Sequence, residues 1–68
     1  MKEETFNLTL RQFLKTFGIT AQRDIERAVD EAVRGGGLKG SETLRARATL
    51  EIDGLPLKKV IEGDIELE

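Results

Sequence analysis

The sequence contains no cysteine and no histidine, and it has a single proline and a single serine. Without cysteine the chain cannot be held by disulfides. Without either residue it lacks the sulfur and imidazole ligands that zinc prefers. A domain of 68 residues buries only about 60% of its unfolded surface, and short domains commonly compensate with bridges, a metal or an oligomeric interface. Only the last is open here, beside strong local helix and hairpin signals. The absence of bridges also speaks against a secreted mini-domain.

Long apolar runs are absent as well. Met1-Lys2-Glu3-Glu4-Thr5 is acidic and precedes no apolar stretch, unlike a signal peptide. Nothing approaches the roughly 20 apolar residues of a membrane span. The expectation is a cytoplasmic protein with no membrane partner. An excess of basic charge is also missing: net charge is −2, with 35% charged residues. That balance is not the footprint of a general nucleic-acid binder, though a local basic face remains compatible with it.

What is present is periodic. Leu10, Phe13, Leu14 and Phe17 recur at helical spacing. Thr9 with Gln12 three residues on gives a capping-box start, and Leu8 and Phe13 are spaced as a hydrophobic staple across it. Two alternatives stand beside this start. Phe6 extends the stripe back towards a helix beginning near Glu3, and Thr5–Leu8 also reads as a short strand. Gly18 suits a left-handed helix end, and Thr20 can cap a second helix. In that helix Ile25, Ala28, Val29, Ala32 and Val33 form the apolar stripe, with Arg27–Glu31 and Asp30–Arg34 as opposite-charge pairs one turn apart. Gly35-Gly36-Gly37 ends it.

From Thr43 the period becomes two. Leu44, Ala46, Ala48, Leu50 and Ile52 alternate with Thr43, Arg45, Arg47, Thr49 and Glu51, a strand with one apolar face. Asp53-Gly54-Leu55-Pro56 is a turn, after which Leu57, Ile61, Ile65 and Leu67 carry the apolar side. A four-residue loop sets Glu51 opposite Lys58, Arg47 opposite Glu62 and Arg45 opposite Asp64. Each such cross-strand pair contributes about 0.2–1 kcal/mol, and Pro56 then lies where its missing N–H does no harm. The same register puts Ala46 opposite Gly63 and Ala48 opposite Ile61.

The fold expectation is therefore α+β: two short helices, 9–17 and 20–34, followed by an antiparallel β-hairpin, 43–52 and 57–67, in one domain spanning 1–68. A two-stranded sheet is marginal alone, so its inner face needs a helix or its edge a third strand. That strand is either residues 4–8 or a copy from another protomer.

Few chemistries fit. Ser41 has no histidine to activate it. Glu62, Asp64, Glu66 and Glu68 alternate as a solvated strand face that discourages edge pairing. Gly35–Ser41 has neither the residue order nor the strand-to-helix context of a phosphate loop. No catalytic, cofactor-binding or metal-binding residue is therefore assigned. The segment 10–34, read as helix, Gly18 turn and helix, is similar to a DNA-binding helix-turn-helix, with Gln22, Arg23 and Arg27 as its contacts. Asp24, Glu26, Asp30 and Glu31 would repel phosphates there.

Asn7–Lys15 (NLTLRQFLK) with Gly18–Glu26 (GITAQRDIE), together with 37–44 (GLKGSETL) and the ending 62–68 (EGDIELE), resemble a family of short bacterial proteins without an assigned activity. The resemblance spans nearly the whole chain. It implies a bacterial source and brings no site residues. The leading expectation is a non-enzymatic protein-interaction module, binding a protein partner or itself as a homodimer through the hairpin edge. The alternative is a nucleic-acid-binding regulator using 10–34.

Overall fold

A computed structural model of the protein describes residues 1–68 as one helix and one hairpin. Contacts divide them into two units, Met1–Gly37 and Leu38–Glu68.

The first unit is a single α-helix, α1, over Glu3–Arg34. This corrects the expectation of two short helices. Gly18 does not end a helix: it has no positive φ and continues the right-handed spiral. Glycine in a helix interior costs up to about 1 kcal/mol relative to alanine. An unbroken apolar stripe on both sides outweighs that. Phe6, Phe17 and Ala28 are each eleven residues apart, as are Leu10, Ala21 and Ala32, and Leu14 and Ile25. Eleven residues make about three helical turns, so the apolar side keeps its phase straight across Gly18. Two helices joined by a turn would carry stripes with no such common phase.

The expected start at Thr9 is corrected for a related reason. The Thr9 hydroxyl donates to the carbonyl oxygens of Thr5 (3.0 Å) and Phe6 (3.1 Å), the back-bonding that lets threonine sit inside a helix. With no turn to cap, Thr20 is likewise interior. The helix begins earlier, after Lys2, which supplies no side-chain cap. Glu3 and Glu4 in the first turn instead place negative charge at the positive end of the helix dipole. The alternative start near Glu3 is the one observed, and residues 5–8 are helix rather than strand.

The triglycine stop works as expected. Gly36 adopts φ +81°, and its N–H donates to Val33 O while that of Gly37 donates to Ala32 O. This is the Schellman arrangement, which satisfies carbonyls the helix leaves unpaired.

The second unit is a two-stranded antiparallel sheet, β1 (Thr43–Glu51) and β2 (Lys58–Glu66). The register is the one that the charges specify. Arg45 faces Asp64, Arg47 faces Glu62, Glu51 faces Lys58, Ala46 faces Gly63 and Ala48 faces Ile61. Arg45 Nη1 lies 3.0 Å from Asp64 Oδ1, and Arg47 Nε lies 3.1 Å from Glu62 Oε1. Lys58 and Glu51 meet at 3.8 Å. These pairs are exposed, so each contributes only about 0.2–1 kcal/mol, but together they favour one register over its neighbours. The loop turns at Asp53-Gly54, with Gly54 at φ +86° and Leu55 N–H on Ile52 O. Each strand keeps one edge without a neighbour.

Candidate functional site

Two surfaces stand out, one on each unit. Neither helix nor hairpin buries any residue, and the reason is elementary. One helix has no interior, and a two-stranded sheet acquires one only when a face is covered.

On α1 the apolar stripe is built by i, i+3, i+4 spacing from Phe6, Leu10, Phe13, Leu14 and Phe17, continuing through Ala21, Ile25, Ala28, Val29, Ala32 and Val33. All three phenylalanines of the protein belong to it. Phe6 and Phe17 are 50% exposed and Phe13 58%. In the second half only Ala21, Val29 and Ala32 are half-buried. Charged residues occupy the opposite side: Arg11, Lys15, Arg23, Glu26, Arg27, Asp30 and Arg34. Arg34 and Asp30 form the expected ion pair, whereas the expected Arg27–Glu31 pair does not form.

The sequence picks out most of these apolar residues but divides them at Gly18. The missed signal is the eleven-residue spacing that joins both halves.

The residues assigned to nucleic-acid contact lie elsewhere. Gln22, Arg23 and Arg27 are all exposed on the one continuous helix. Arg23 and Arg27 share a face one turn apart, and Gln22 points about 100° away from Arg23. The turn that would have presented them as a recognition helix is not formed.

On the hairpin, Leu44, Ala46, Ala48 and Leu50 of β1 share a face with Ile61 and Ile65 of β2. The β1 members are half-buried, while Ile61 is 58% exposed. The acidic row on the other face is partly neutralised: Asp64 is engaged by Arg45, and Glu62 by Arg47.

The glycine-rich segment has an internal occupant. The backbone N–H groups of Lys39, Gly40 and Ser41 all converge on Oε1 of Glu42, at 3.1, 2.9 and 3.2 Å, and Lys39 N–H also reaches Oε2 at 2.8 Å. Gly40 at φ +99° allows the backbone to turn its amides inward. Converging amides of this kind form an anion-binding nest, and here the chain's own carboxylate fills it. Those bonds, Lys39's first, hold the Glu42 carboxyl below the usual carboxylate range.

A lowered folded-state value means that the stabilisation is complete above the usual range and is lost as pH falls through the lowered one. Acidification from neutral pH is therefore expected to release the Lys39, Gly40 and Ser41 amides together. Glu42→Ala should release them at every pH. NMR amide shifts along an acid titration check this, and shifts of these three amides that do not move with pH would refute it.

No helix is long and apolar enough to cross a membrane. A model of the family of unknown function DUF6494 matches residues 1–68, and the chain belongs to that family. No curated protein and no solved structure matches it.

Proposed function

We propose that this member of DUF6494 is a non-enzymatic protein-interaction module of the bacterial cytoplasm, and that the apolar stripe of α1 is its binding surface. One observation carries the reading. A 32-residue helix displays three phenylalanines and a continuous run of aliphatic side chains, none of them buried. Contiguous apolar surface of that kind marks an interaction site in a soluble protein. A helix owes most of its stability to packing of its apolar side rather than to intrinsic propensity. Covering the stripe therefore does two things at once: it binds a partner and it stabilises the helix.

The hairpin's open edges are a second contact of the same kind, suited to strand addition. They rank below the stripe because the exposed aromatic area lies on the helix. The nucleic-acid alternative has lost the turn on which its geometry depended, and acidic residues still surround Arg23 and Arg27.

The test is thermal unfolding of the purified chain followed by circular dichroism over a wide range of dilution. The expected result is weak, gradually melting helicity at high dilution, sharpening and moving to higher temperature as binding sites are filled. A cooperative melt with one midpoint at every dilution would show a chain that needs no covering, and would overturn the proposal.

A further inference from the structure

We infer that the free edge of β1 pairs with the free edge of β1 in a second copy of this chain. The two strands run antiparallel about a two-fold axis at Ala48, giving a sheet in the order β2-β1-β1-β2. The inference goes beyond the helix stripe and does not depend on it, because it concerns the hairpin alone.

Backbone direction decides which residues are available. Successive residues of a strand turn their N–H and C=O groups to opposite edges. The Leu67 N–H donates to Glu42 O at 3.0 Å, so even-numbered residues of β1 direct their backbone groups at β2. Arg45, Arg47, Thr49 and Glu51 therefore direct theirs at the edge that has no neighbour. On β2 the parity is reversed, and Val60, Glu62 and Asp64 face the open edge.

The two edges are not alike. Pro56 shares the parity of Val60, so its missing N–H falls at the β2 edge just before the strand begins. Lys59 places a charge on the apolar face, opposite Leu50, and Gly63 lies in the strand interior. An edge proline and an inward-pointing lysine blunt a strand against further pairing, and an interior glycine weakens it. β1 carries none of these: it has no glycine or proline, and Leu44, Ala46, Ala48 and Leu50 keep its inner face free of charge.

Charge then selects the occupant. With the axis at Ala48, Arg45 lies opposite Glu51 of the second copy, and Arg47 opposite its Thr49. Within each hairpin Arg45 already faces Asp64, and Glu51 already faces Lys58. The outer face of the joined sheet therefore carries the row Asp64, Arg45, Glu51, Lys58, in which the sign alternates at every step. The two-fold axis repeats that row, and opposite charges set directly across strands stabilise their pairing. On the inner face Ala48 meets Ala48, and Ala46 meets Leu50. An axis at Arg47 would set Arg47 against itself. An axis at Thr49 would shorten the paired run from 45–51 to 47–51. Pairing β1 with β2 of a further copy also matches charges, but it uses the blunted edge and grows without closing, whereas the two-fold pair is closed. A two-stranded sheet is marginal alone, so the hairpin gains most from the partner that doubles it.

The test is amide hydrogen exchange of the full chain, read residue by residue by NMR in a concentrated sample and after dilution. The Arg45, Arg47, Thr49 and Glu51 amides are expected to exchange at least about tenfold more slowly than those of Val60, Glu62 and Asp64 when concentrated, and to lose that protection on dilution. With no native cysteine, Ala48→Cys fixes the axis. Its two copies would sit about 4.5 Å apart between Cα atoms, within disulfide reach. Oxidised glutathione is expected to link Ala48→Cys into a dimer and to leave Ile61→Cys, its counterpart on β2, unlinked.

Fast exchange at both edges overturns the pairing, as does slow exchange confined to β2 or shared by both strands. A faster link through Thr49→Cys than through Ala48→Cys overturns the axis. The exchange measurement uses the unaltered chain, so it decides the pairing even if a cysteine variant folds poorly. Fast edge amides beside helix amides that slow with concentration would sink this pairing and leave the stripe reading standing; the reverse would leave the pairing and sink the stripe.

Discussion

Gly18→Pro is expected to cut α1 in two, at a cost of about 3 kcal/mol or more, while Gly18→Ala is expected to stabilise the helix by about 0.5–1 kcal/mol. Proline in a helix interior removes a backbone hydrogen bond and drives its ring into the preceding turn. Alanine is favoured because a Cβ at Gly18 meets no atom within 4 Å and the backbone there is right-handed. The alanine substitution discriminates between one helix and two. At a left-handed helix end alanine would be unfavourable by roughly 1 kcal/mol, reversing its sign. Helicity by circular dichroism, together with the melting temperature of both variants, reads the result. A destabilising alanine would restore the two-helix arrangement, whereas proline is unfavourable in both, since its fixed negative φ fits a left-handed helix end no better than a helix interior.

The second large effect is expected from Phe13→Ser combined with Phe17→Ser. Both rings are at least half exposed in the single chain, so they hold little of its own structure. Covered by a partner, each would contribute about 1.5–3 kcal/mol through burial. Losing both should weaken association by roughly two to four orders of magnitude. The hairpin should be unaffected, because its register is fixed by Arg45, Arg47 and Lys58 with their acidic partners. Sedimentation gives the affinity and the amide spectrum of Thr43–Glu66 gives the control. Undiminished association by the double variant would move the binding surface away from the stripe, with the hairpin edge next in line.

The hairpin was legible in the sequence because its determinants are local and mutually consistent. Alternation fixes the face, Asp53-Gly54-Leu55-Pro56 marks the loop, and three charge pairs agree on a single register. The helix was less legible because two residues with strong local meanings, Thr9 and Gly18, act against type. Threonine signals a cap when read alone, yet its hydroxyl is equally satisfied by carbonyls a turn behind it. Glycine signals a stop when read alone, yet the stripe runs through it in phase. In both cases a pattern spread over eleven residues outweighs a cue from one.

The candidate site was half visible for the same reason. Its apolar residues are evident, but helical periodicity alone does not say whether a stripe faces the chain's own core or a partner. The expected contacts at Gln22, Arg23 and Arg27 depended on the Gly18 turn, and without it they are charged and polar residues along the exposed side of a helix. The Glu42 nest had no signature beyond the glycine beside it, since the carboxylate that fills it comes from a residue the alternation marks only as the approach to a strand.

The most direct measurement is amide hydrogen exchange along Glu3–Arg34, made on one preparation at two concentrations about a hundredfold apart. A helix stabilised by a covered stripe is expected to exchange slowly when concentrated and much faster when dilute. Protection that is high and identical at both concentrations would contradict the account, because the helix would then be stable without anything covering its apolar side.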